Sequence, residues 1–361
     1  MYGHAQELHD SDTALLGEPQ RESPDEVDSF ENRRPRPVPG GLAPARRPDR
    51  IRLPTGAYLV GQGQHRSGWP YALASLAPLV HPKGVLVDDF VERTFCYGDG
   101  AKEPYREPWV GVFHHPPGHF AFTLPNHRLP NLFAREVWRE SGRHLLHAVA
   151  LSHHLGDWLR EALDVPVTVL RHPTETPGLT WSPARYLANP AKAALQIGFY
   201  LRNPWLIHQI PDTAGHRRVR VYPRFAWCRD YQRTLRAYWE GQGTRPWTTD
   251  AVEEWPRLSN AAYDTALSEN VVVTELFGAS ANNLVVECLV RNTPIVVNRH
   301  PAVIEYLGPH YPLFFDELAE IPRLLQPSAV LAAHGYLSAR PKAACTGPAF
   351  LAGFRSVLQS L

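Results

Sequence analysis

From residue 51 onward, short runs rich in Val, Leu and Phe alternate with segments whose apolar residues recur at helical spacing. Short β-branched and apolar runs are typical of buried strands, and the helical spacing is typical of helices that cover a sheet with one face. Their alternation predicts an α/β protein built from βαβ units around parallel sheets.

The pattern predicts two consecutive series of such units. In the first series we expect strands at residues 57–61, 85–90, 109–113, 145–151 and 167–170, with helices near 69–79, 132–139 and 153–163. In the second series we expect strands at residues 194–199, 218–222, 271–276, 294–298 and 312–315. The Pro-rich segment RHPTETPGLTWSP lies between them. This predicts two Rossmann-like domains, 51–178 and 179–361, that face each other across a cleft.

Residues 1–50 are rich in Asp, Glu, Arg and Pro and contain few large apolar residues. Such a segment buries too little surface to offset the entropy of ordering, so we expect a disordered tail. Its arginines could contact an anionic partner or the surface of a membrane, but composition favours a solvated linker.

The composition of the chain argues against nucleic-acid binding, a metal site built from cysteines and a membrane span. A formal net charge of +1 in 361 residues gives no broad basic field, so we expect no nucleic-acid partner. The four cysteines show no metal-ligand spacing, which suits a reducing, cytoplasmic setting. No apolar run approaches the roughly 20 residues that span a bilayer, so we expect no transmembrane segment.

Residues 271–308 carry the strongest chemical signal. A β-branched strand leads into a loop of small residues, and a helix is predicted to begin near Asn282 or Asn283. A helix N-terminus offers unpaired N–H groups and positive potential to a phosphate, while Glu287 one turn later could accept hydrogen bonds from the hydroxyls of a ribose. The alternative is that Asn283 only caps the helix and Glu287 is a solvated surface acid.

This segment resembles the donor-binding motif of the family 4 glycosyltransferases, which have the GT-B fold. Glu287 matches the second Glu of that motif, and TPIVV at residues 293–297 matches the strand that follows. The position of the first Glu, which helps to hold the transferred sugar in the family, is Ala279. Glu275 could substitute, although it fits the end of the strand better. The resemblance implies a nucleotide diphosphate sugar as donor and no cofactor or metal.

A second, weaker part of the resemblance concerns the cations that neutralise the diphosphate. Arg202, in the loop after the first strand of the second series, matches the family's Arg. The Lys that follows it in the family has no counterpart, since Lys192 precedes the strand, and Arg299 is a lesser candidate. Arg is suited to this task because its planar guanidinium can bind two phosphate oxygens.

On the acceptor side, the segment GQGQHRSGW follows the first predicted strand. Gly61 and Gly63 allow a tight turn close to a ligand, but Arg66 interrupts the dinucleotide-binding glycine pattern. The resemblance implies that this loop borders the cleft near the donor diphosphate and the acceptor. Gly61 and Gly63 are then expected to bind the donor, and His65, Arg66 and Ser67 could contact the acceptor. The alternative is a purely structural glycine turn.

His114 and His115 end another buried strand, and adjacent residues of a strand point to opposite sides, so we expect one of the pair to face the cleft. A histidine there could orient an acceptor hydroxyl or a phosphate, and the alternative is a hydrogen-bonded structural histidine. Asp89 follows the strand before it and is a candidate base if the reaction inverts stereochemistry. No convergent set of metal ligands is evident.

These observations together predict a metal-independent, hexosyltransferase-like enzyme that moves a sugar to a glycan, a polysaccharide or another acceptor. His114, His115, Arg202 and Glu287 are the expected catalytic set. Two alternatives stay open. One is a nucleotide-sugar epimerase or phosphorylase with the same fold, and the other is a catalytically inactive nucleotide-sugar-binding protein, as the loss of the first Glu at Ala279 suggests.

Overall fold

Two parallel β-sheets organise the chain. The structure is a computed structural model and describes residues 49–54, 68–96, 103–117, 128–198, 200–221, 226–243, 245 and 247–361. The predicted strand at 57–61, the tail through residue 48, and Gly61, Gly63, His65, Arg66 and Ser67 lie outside these residues.

The first sheet has the order β1-β2-β3-β4-β5, and all its neighbouring strands are parallel. Its strands are β1 (Ile51–Arg52), β2 (Val85–Asp88), β3 (Trp109–Phe113), β4 (Leu145–Ala150) and β5 (Val167–Val169). The helices of this half are α1 (Trp69–Ser75), α2 (Val91–Cys96), α3 (Leu129–Ala134), α4 (Glu136–Gly142) and α5 (His153–Ala162).

Strand β3 shows why both faces of this sheet are covered. All five of its residues are buried, and four of them divide between two hydrophobic clusters. Val110 and Val112 belong to one cluster, whereas Trp109 and Phe113 belong to the other. Because successive side chains of a strand point to opposite faces, an apolar strand of this kind needs a helical layer on each side of the sheet.

The second sheet has the order β11-β10-β9-β6-β7-β8 and is also parallel throughout. Its strands are β6 (Ala193–Ile197), β7 (Arg217–Val221), β8 (Val252–Trp255), β9 (Val271–Thr274), β10 (Ile295–Asn298) and β11 (Phe314–Phe315). The strand order runs outward in both directions from the β6–β9 pair. Ligands of open parallel sheets bind outside the carboxyl ends of the strands at such a switch point.

The helices of the second half lie between and beyond these strands. They are α6 (Pro183–Ala188), α7 (Leu206–Gln209), α8 (Ala226–Gln242), α9 (Asn260–Glu269), α10 (Asn283–Arg291), α11 (Pro301–Leu307), α12 (Ile321–Leu324), α13 (Pro327–Ala339) and α14 (Gly347–Gln359). In the part of the chain that the structure describes, no helix is long and apolar enough to cross a membrane.

The last helix returns to the first half. Phe350, Phe354, Val357 and Leu358 of α14 join the hydrophobic cluster that contains Ile51 and other residues of the first sheet. The predicted domain boundary near residue 178 stays a prediction, but the C-terminal helix supplies core to the sheet on the other side of that boundary.

A polar contact also joins the two halves. Glu305 of α11 accepts hydrogen bonds from the backbone amides of His153 and His154, both at 2.7 Å, and so caps the start of α5 from the other half. The Tyr306 hydroxyl next to it donates to the carbonyl oxygen of Leu151 at 2.8 Å, and Arg171 lies 3.6 Å from the Glu305 carboxylate. Because these contacts lie just after β4, they hold the two sheets together near their carboxyl ends.

Candidate active site

The chain segments that follow β6 and β9 run side by side. The amide of Asn203 donates to the carbonyl oxygen of Glu275 at 2.8 Å, and the amide of Phe277 donates to that of Leu201 at 2.9 Å. Arg202 and Leu276 form an antiparallel bridge between these two bonds. The pairing brings the loop of Arg202 to the loop that leads into α10, at the switch point of the second sheet.

Arg202 is held at the N-terminus of α10. Its Nη2 donates to Asn282 Oδ1 at 3.2 Å and its Nη1 donates to the carbonyl oxygen of Ile197 at 3.1 Å. The buried Nε has no hydrogen-bond partner among the described residues. Burial lowers the pKa of the guanidinium, and the charge of Glu287 nearby partly opposes this effect. Arg202 therefore presents a desolvated cation with unused donor capacity.

Gly198 makes room for this guanidinium. Its φ is +83°, in the region that favours glycine, and a Cβ there would lie 1.5 Å from Nη1 of Arg202. The guanidinium packs directly over the backbone of the loop, so both the conformation and the space at residue 198 require glycine.

The start of α10 has the features of an anion site. Asn282 is the N-cap and accepts a hydrogen bond from the amide of Val285 at 3.3 Å, while Asn283 is the first helical residue and is half-buried. The Ser280 side chain is 1% exposed, and its hydroxyl has no partner among the residues described. The first-turn amides of a helix have no intrahelical acceptors and carry positive potential. They converge here with Arg202 and Ser280.

Glu287 lies one turn further along α10 and is only 1% exposed. The Tyr263 hydroxyl donates a hydrogen bond of 2.5 Å to its Oε2. Burial and the adjacent carboxylate raise the pKa of Tyr263 well above its usual value, so the tyrosine keeps its proton and acts as the donor. The alternative in which Glu287 is a solvated surface acid is therefore wrong.

Ala279, the residue at which the resemblance would place a Glu, is part of the core. Ala279 is 5% exposed and belongs to the main hydrophobic cluster of the second half. The carboxylate of Glu275 is paired with Arg245 at 2.7 and 2.9 Å and accepts a hydrogen bond of 2.6 Å from the Asn203 amide group. These contacts fasten the strand end to its neighbouring loops, as expected for a residue that belongs to the end of the strand.

In the first half, Glu92 organises the end of β3. Its carboxylate accepts hydrogen bonds from the amides of His114 at 2.9 Å and His115 at 2.8 Å, and the side chain is completely buried. Burial raises the pKa of Glu92 to about 7, although the hydrogen bonds from these amides lower it. The residue sets the path of the chain through the two histidines.

The His114 ring is stacked on Phe90 at 4.0 Å between centroids and meets Trp69 edge-on at 4.3 Å. Its Nε2 lies 2.9 Å from the carbonyl oxygen of Asp89, so Nε2 carries the proton and Nδ1 is the acceptor. Burial holds the pKa of His114 well below its usual value, and the ring is neutral at pH 7. His114 thus has the protonation state of a base.

The Asp89 side chain is committed to structural contacts. One oxygen accepts from the Trp69 indole at 2.9 Å, and the other is paired with Arg93 at 2.9 Å. Burial raises the pKa of Asp89, and Arg93 opposes the effect. The contacts favour a role in positioning Trp69, which touches His114, over direct contact with an acceptor.

His115 brings the two halves together. Its ring lies 6.2 Å from that of Tyr200, which belongs to the loop of Arg202 in the second half. Burial raises the pKa of Tyr200, and the nearby Glu92 adds to this effect. The end of β3 and the loop of Arg202 are therefore parts of one region. Within the described part of the chain, no three His, Cys, Asp or Glu side chains are placed to share a metal ion.

No protein-family model and no curated protein sequence matches the chain. Similar solved structures exist, and they are glycosyltransferases. Sucrose-phosphate synthase from Thermosynechococcus elongatus is 12% identical with a TM-score of 0.54, over 80% of this chain and 75% of that one. HepE from Anabaena, in complex with UDP-glucose, is 15% identical with a TM-score of 0.51, over 71% and 73%. An α,α-trehalose 6-phosphate synthase from Burkholderia multivorans is 12% identical with a TM-score of 0.51, over 81% and 74%.

The chain has the GT-B fold. At these identities the likeness concerns the fold, and the predicted fold class is confirmed. Within the GT-B fold, the structure brings Arg202, Asn282, Asn283 and Glu287 together at the switch point of the second sheet. The first sheet brings His114, His115 and Asp89 to the carboxyl ends of its strands. The two other candidate cations lie apart, since Arg299 pairs with Asp316 at 3.3 Å and Lys192 lies over the Tyr186 ring at 5.6 Å.

Several residues of this GT-B site were not predicted from the sequence. Tyr263 contacts a residue 24 positions away, and Arg245 contacts one 30 positions away. Tyr200 reaches the opposite half of the chain. No local pattern marks such contacts. Ser280 was predicted only as one of the small residues of the loop, and its buried hydroxyl is a finding of the structure.

Proposed function

We propose that this protein transfers a hexose-like sugar from a nucleotide diphosphate sugar to an acceptor without a metal ion. One observation carries the proposal: the guanidinium of Arg202 is held at the N-cap of α10, one turn before Glu287. The diphosphate would bind to the first-turn amides of α10 and to Arg202, and the ribose would bind to Glu287. The nucleotide-sugar chemistry of the similar structures supports this direction.

The chemical demand on such a site is to stabilise the leaving nucleoside diphosphate. Negative charge grows on the diphosphate as the glycosidic bond breaks, and fixed cations and oriented N–H groups stabilise it most when they are shielded from water. Arg202 is desolvated, and its place is fixed by Ile197 and Asn282. The helix amides add positive potential without any rearrangement. These features together would take the place of a divalent cation.

On the acceptor side, we assign the polar contacts to His114 and His115. In an inverting reaction the unprotonated Nδ1 of His114 would take the proton of the acceptor hydroxyl, whereas a retaining reaction would need no protein base. Glu92 and Asp89 would hold the two histidines and Trp69 in place. The loop with Gly61, Gly63, His65, Arg66 and Ser67 is proposed to complete the acceptor side, and the acceptor is proposed to be a glycan.

The decisive first measurement is thermal stabilisation by UDP, GDP, ADP and TDP. A ligand that binds only the native state at about 100 times its Kd adds about 2.7 kcal/mol to stability. We expect at least one of the four to raise Tm, and we expect Arg202→Gln to abolish that rise. Arg299→Gln is the matched control, because this surface arginine should leave it unchanged.

Transfer is then measured with the sugar nucleotides of the base so identified and a panel of glycan acceptors. Formation of a glycosidic product supports the proposal, whereas an isomerised sugar or a sugar phosphate formed without acceptor would identify an epimerase or a phosphorylase. No stabilisation by any nucleoside diphosphate, or stabilisation that survives Arg202→Gln, would overturn the assignment of the site.

One observation favours a second candidate function. Ala279 is packed in the core, and Glu275 is paired with Arg245, so the described loop offers the transferred sugar no carboxylate at this point. A protein that binds a nucleotide sugar without turnover would fit this arrangement. It would show nucleotide binding that depends on Arg202 and no product with any acceptor.

A further inference from the structure

The Tyr263 hydroxyl contacts Glu287 in the proposed ribose site. Tyr263 is in the first turn of α9 and keeps partial exposure, whereas the carboxylate that it contacts is almost completely buried. The Tyr263 side chain is thus the more exposed of the two.

A second polar contact to α10 is made by Asp264, the neighbour of Tyr263 in the sequence. Asp264 pairs with Arg291 in the last turn of α10, with 3.2 Å between Oδ1 and Nη2. Two polar contacts therefore join the start of α9 to α10, one at each of two adjacent residues. Asp264 contributes to the attachment of α9 to α10, and Tyr263 contacts the carboxylate of Glu287.

The carboxylate is linked electrostatically to the proposed phosphate site. The charge of Glu287 acts on the guanidinium of Arg202, which contacts the N-cap of α10. Cation, phenol and carboxylate thus follow the helix from its N-terminus through its first turns. This order matches a nucleoside diphosphate whose phosphates lie at the helix start and whose ribose lies beyond them.

We propose that Tyr263 is a positioning residue that orients the Glu287 carboxylate toward the 2′- and 3′-hydroxyls of a ribose, so that the donor is a ribonucleotide and not a 2′-deoxyribonucleotide. The inference rests on the proposed function. A carboxylate has about four acceptor positions, and the bond from Tyr263 occupies one of them and holds the group in one orientation. A buried carboxylate that loses a hydroxyl partner is destabilised, and this is the physical source of the discrimination.

The test compares binding of UDP, GDP and ADP with that of dUDP, dGDP and dADP by calorimetry. We expect the wild-type protein to bind its preferred ribonucleotide about ten to a hundred times more tightly than the 2′-deoxy counterpart, as befits a hydrogen bond to a charged group. In Tyr263→Phe, which removes only the hydroxyl, we expect this ratio to fall to about threefold or less. Glu287→Gln should lower it likewise, and the double variant should show little further loss because the two residues act together.

Asp264→Asn is the matched control. It weakens the attachment of α9 to α10 without touching the hydroxyl or the carboxylate, so it should lower Tm and keep the ratio of the wild-type protein. A Tyr263→Phe protein that keeps the wild-type ratio would overturn the role of Tyr263. A wild-type ratio near one, with binding that still depends on Arg202, would overturn this inference and leave the proposed function standing. Failure of the wild-type protein to bind any of the six nucleotides would overturn both.

Discussion

Arg202 occupies space that a side chain at residue 198 would fill. Residue 198, in the loop after β6, is a glycine with φ +83°. Because it has no side chain, the guanidinium of Arg202 can lie against its backbone. The interaction is specific to the fold, because residues 198 and 202 meet only when the loop curls back after the strand. At the scale of single residues, the proposed phosphate site therefore depends on the absence of a Cβ atom at residue 198.

We predict that Gly198→Ala removes Arg202 from the N-cap of α10 and abolishes nucleotide binding. An alanine at positive φ costs about 1–2 kcal/mol, and the methyl group would in addition displace the guanidinium. Gly215→Ala is the matched control, since residue 215 also has a positive φ, of +79°, but no described atom lies within 4 Å of the added Cβ. Both variants should lose stability in urea titrations. If both also lost nucleotide binding, or if neither did, the role of Gly198 would be refuted.

At the scale of elements, buried carboxylates connect pieces of the chain. Glu92 of α2 holds the end of β3 through two amides, and Glu305 of α11 caps α5 in the other half through two amides. In each case an acid far away in sequence satisfies backbone donors that the local chain leaves unpaired. Glu92 is completely buried, and this makes its contribution to stability sensitive to pH.

We predict that the titration of Glu92 lowers the free energy of unfolding as the pH rises from about 4.5 to about 7. Burial raises the pKa of Glu92 in the folded protein to about 7 from an ordinary value of 4.5, so the folded state binds the extra proton in this range. Its contribution is thus fully present below pH 4.5 and is lost as the pH rises through 7, by on the order of 3 kcal/mol. The measurement is the free energy of unfolding as a function of pH for the wild-type protein and for Glu92→Gln.

The glutamine mimics the protonated acid, so the difference in free energy between the two proteins should change over that pH range and stay level above pH 7. Equal pH profiles of the two proteins would show that Glu92 does not titrate as inferred from its burial.

Glu305→Ala should destabilise the protein by about 1–3 kcal/mol, because the amides of His153 and His154 lose their shared acceptor. Asp157→Ala, on the same helix, removes an exposed ion pair with Arg160 and should change stability by less than about 0.5 kcal/mol. Both variants are compared by urea denaturation, with hydrogen exchange of the α5 amides as a local readout. Unchanged exchange in α5 of Glu305→Ala would contradict the cap.

At the scale of the whole molecule, the two halves share structure beyond the cleft. Helix α14 ends the chain but packs in the core of the first sheet, and α11 contacts the start of α5. His115 and Tyr200 meet from opposite halves near the proposed site. The relative placement of the proposed donor and acceptor residues therefore depends on contacts between elements that are remote in sequence.

Phe354→Ala is expected to destabilise the first half of the chain, although residue 354 lies in the last helix. The side chain is completely buried, and truncation of a buried Phe costs about 3–5 kcal/mol. Hydrogen exchange should increase in β1–β4 more than in β9 and β10. Arg355→Ala, at an exposed position of the same helix, is the control. Equal loss of protection in both sheets would show that α14 stabilises the molecule as a whole and not the first sheet in particular.

The sequence by itself determined the α/β class, most strand positions and the start of α10, because these follow from local periodicity, strand-forming residues and a capping Asn. The sequence did not predict β1 at Ile51–Arg52, which has only two residues. It also did not predict β8 at Val252–Trp255, in which two of the four residues are acidic. Such strands are held by pairing with a neighbour and not by their own pattern.

Only the tertiary structure decided which polar residues meet. Arg202, Asn282 and Glu287 are joined because the chain pairs the loops after two neighbouring strands, and Tyr263 and Arg245 enter from helices and loops far away in sequence. It also decided that Glu275 is ion-paired and that α14 belongs to the first core. Spacing along the chain encodes the direction of a side chain on its own element, whereas contact between elements depends on how the sheets are ordered and packed, which local sequence does not specify.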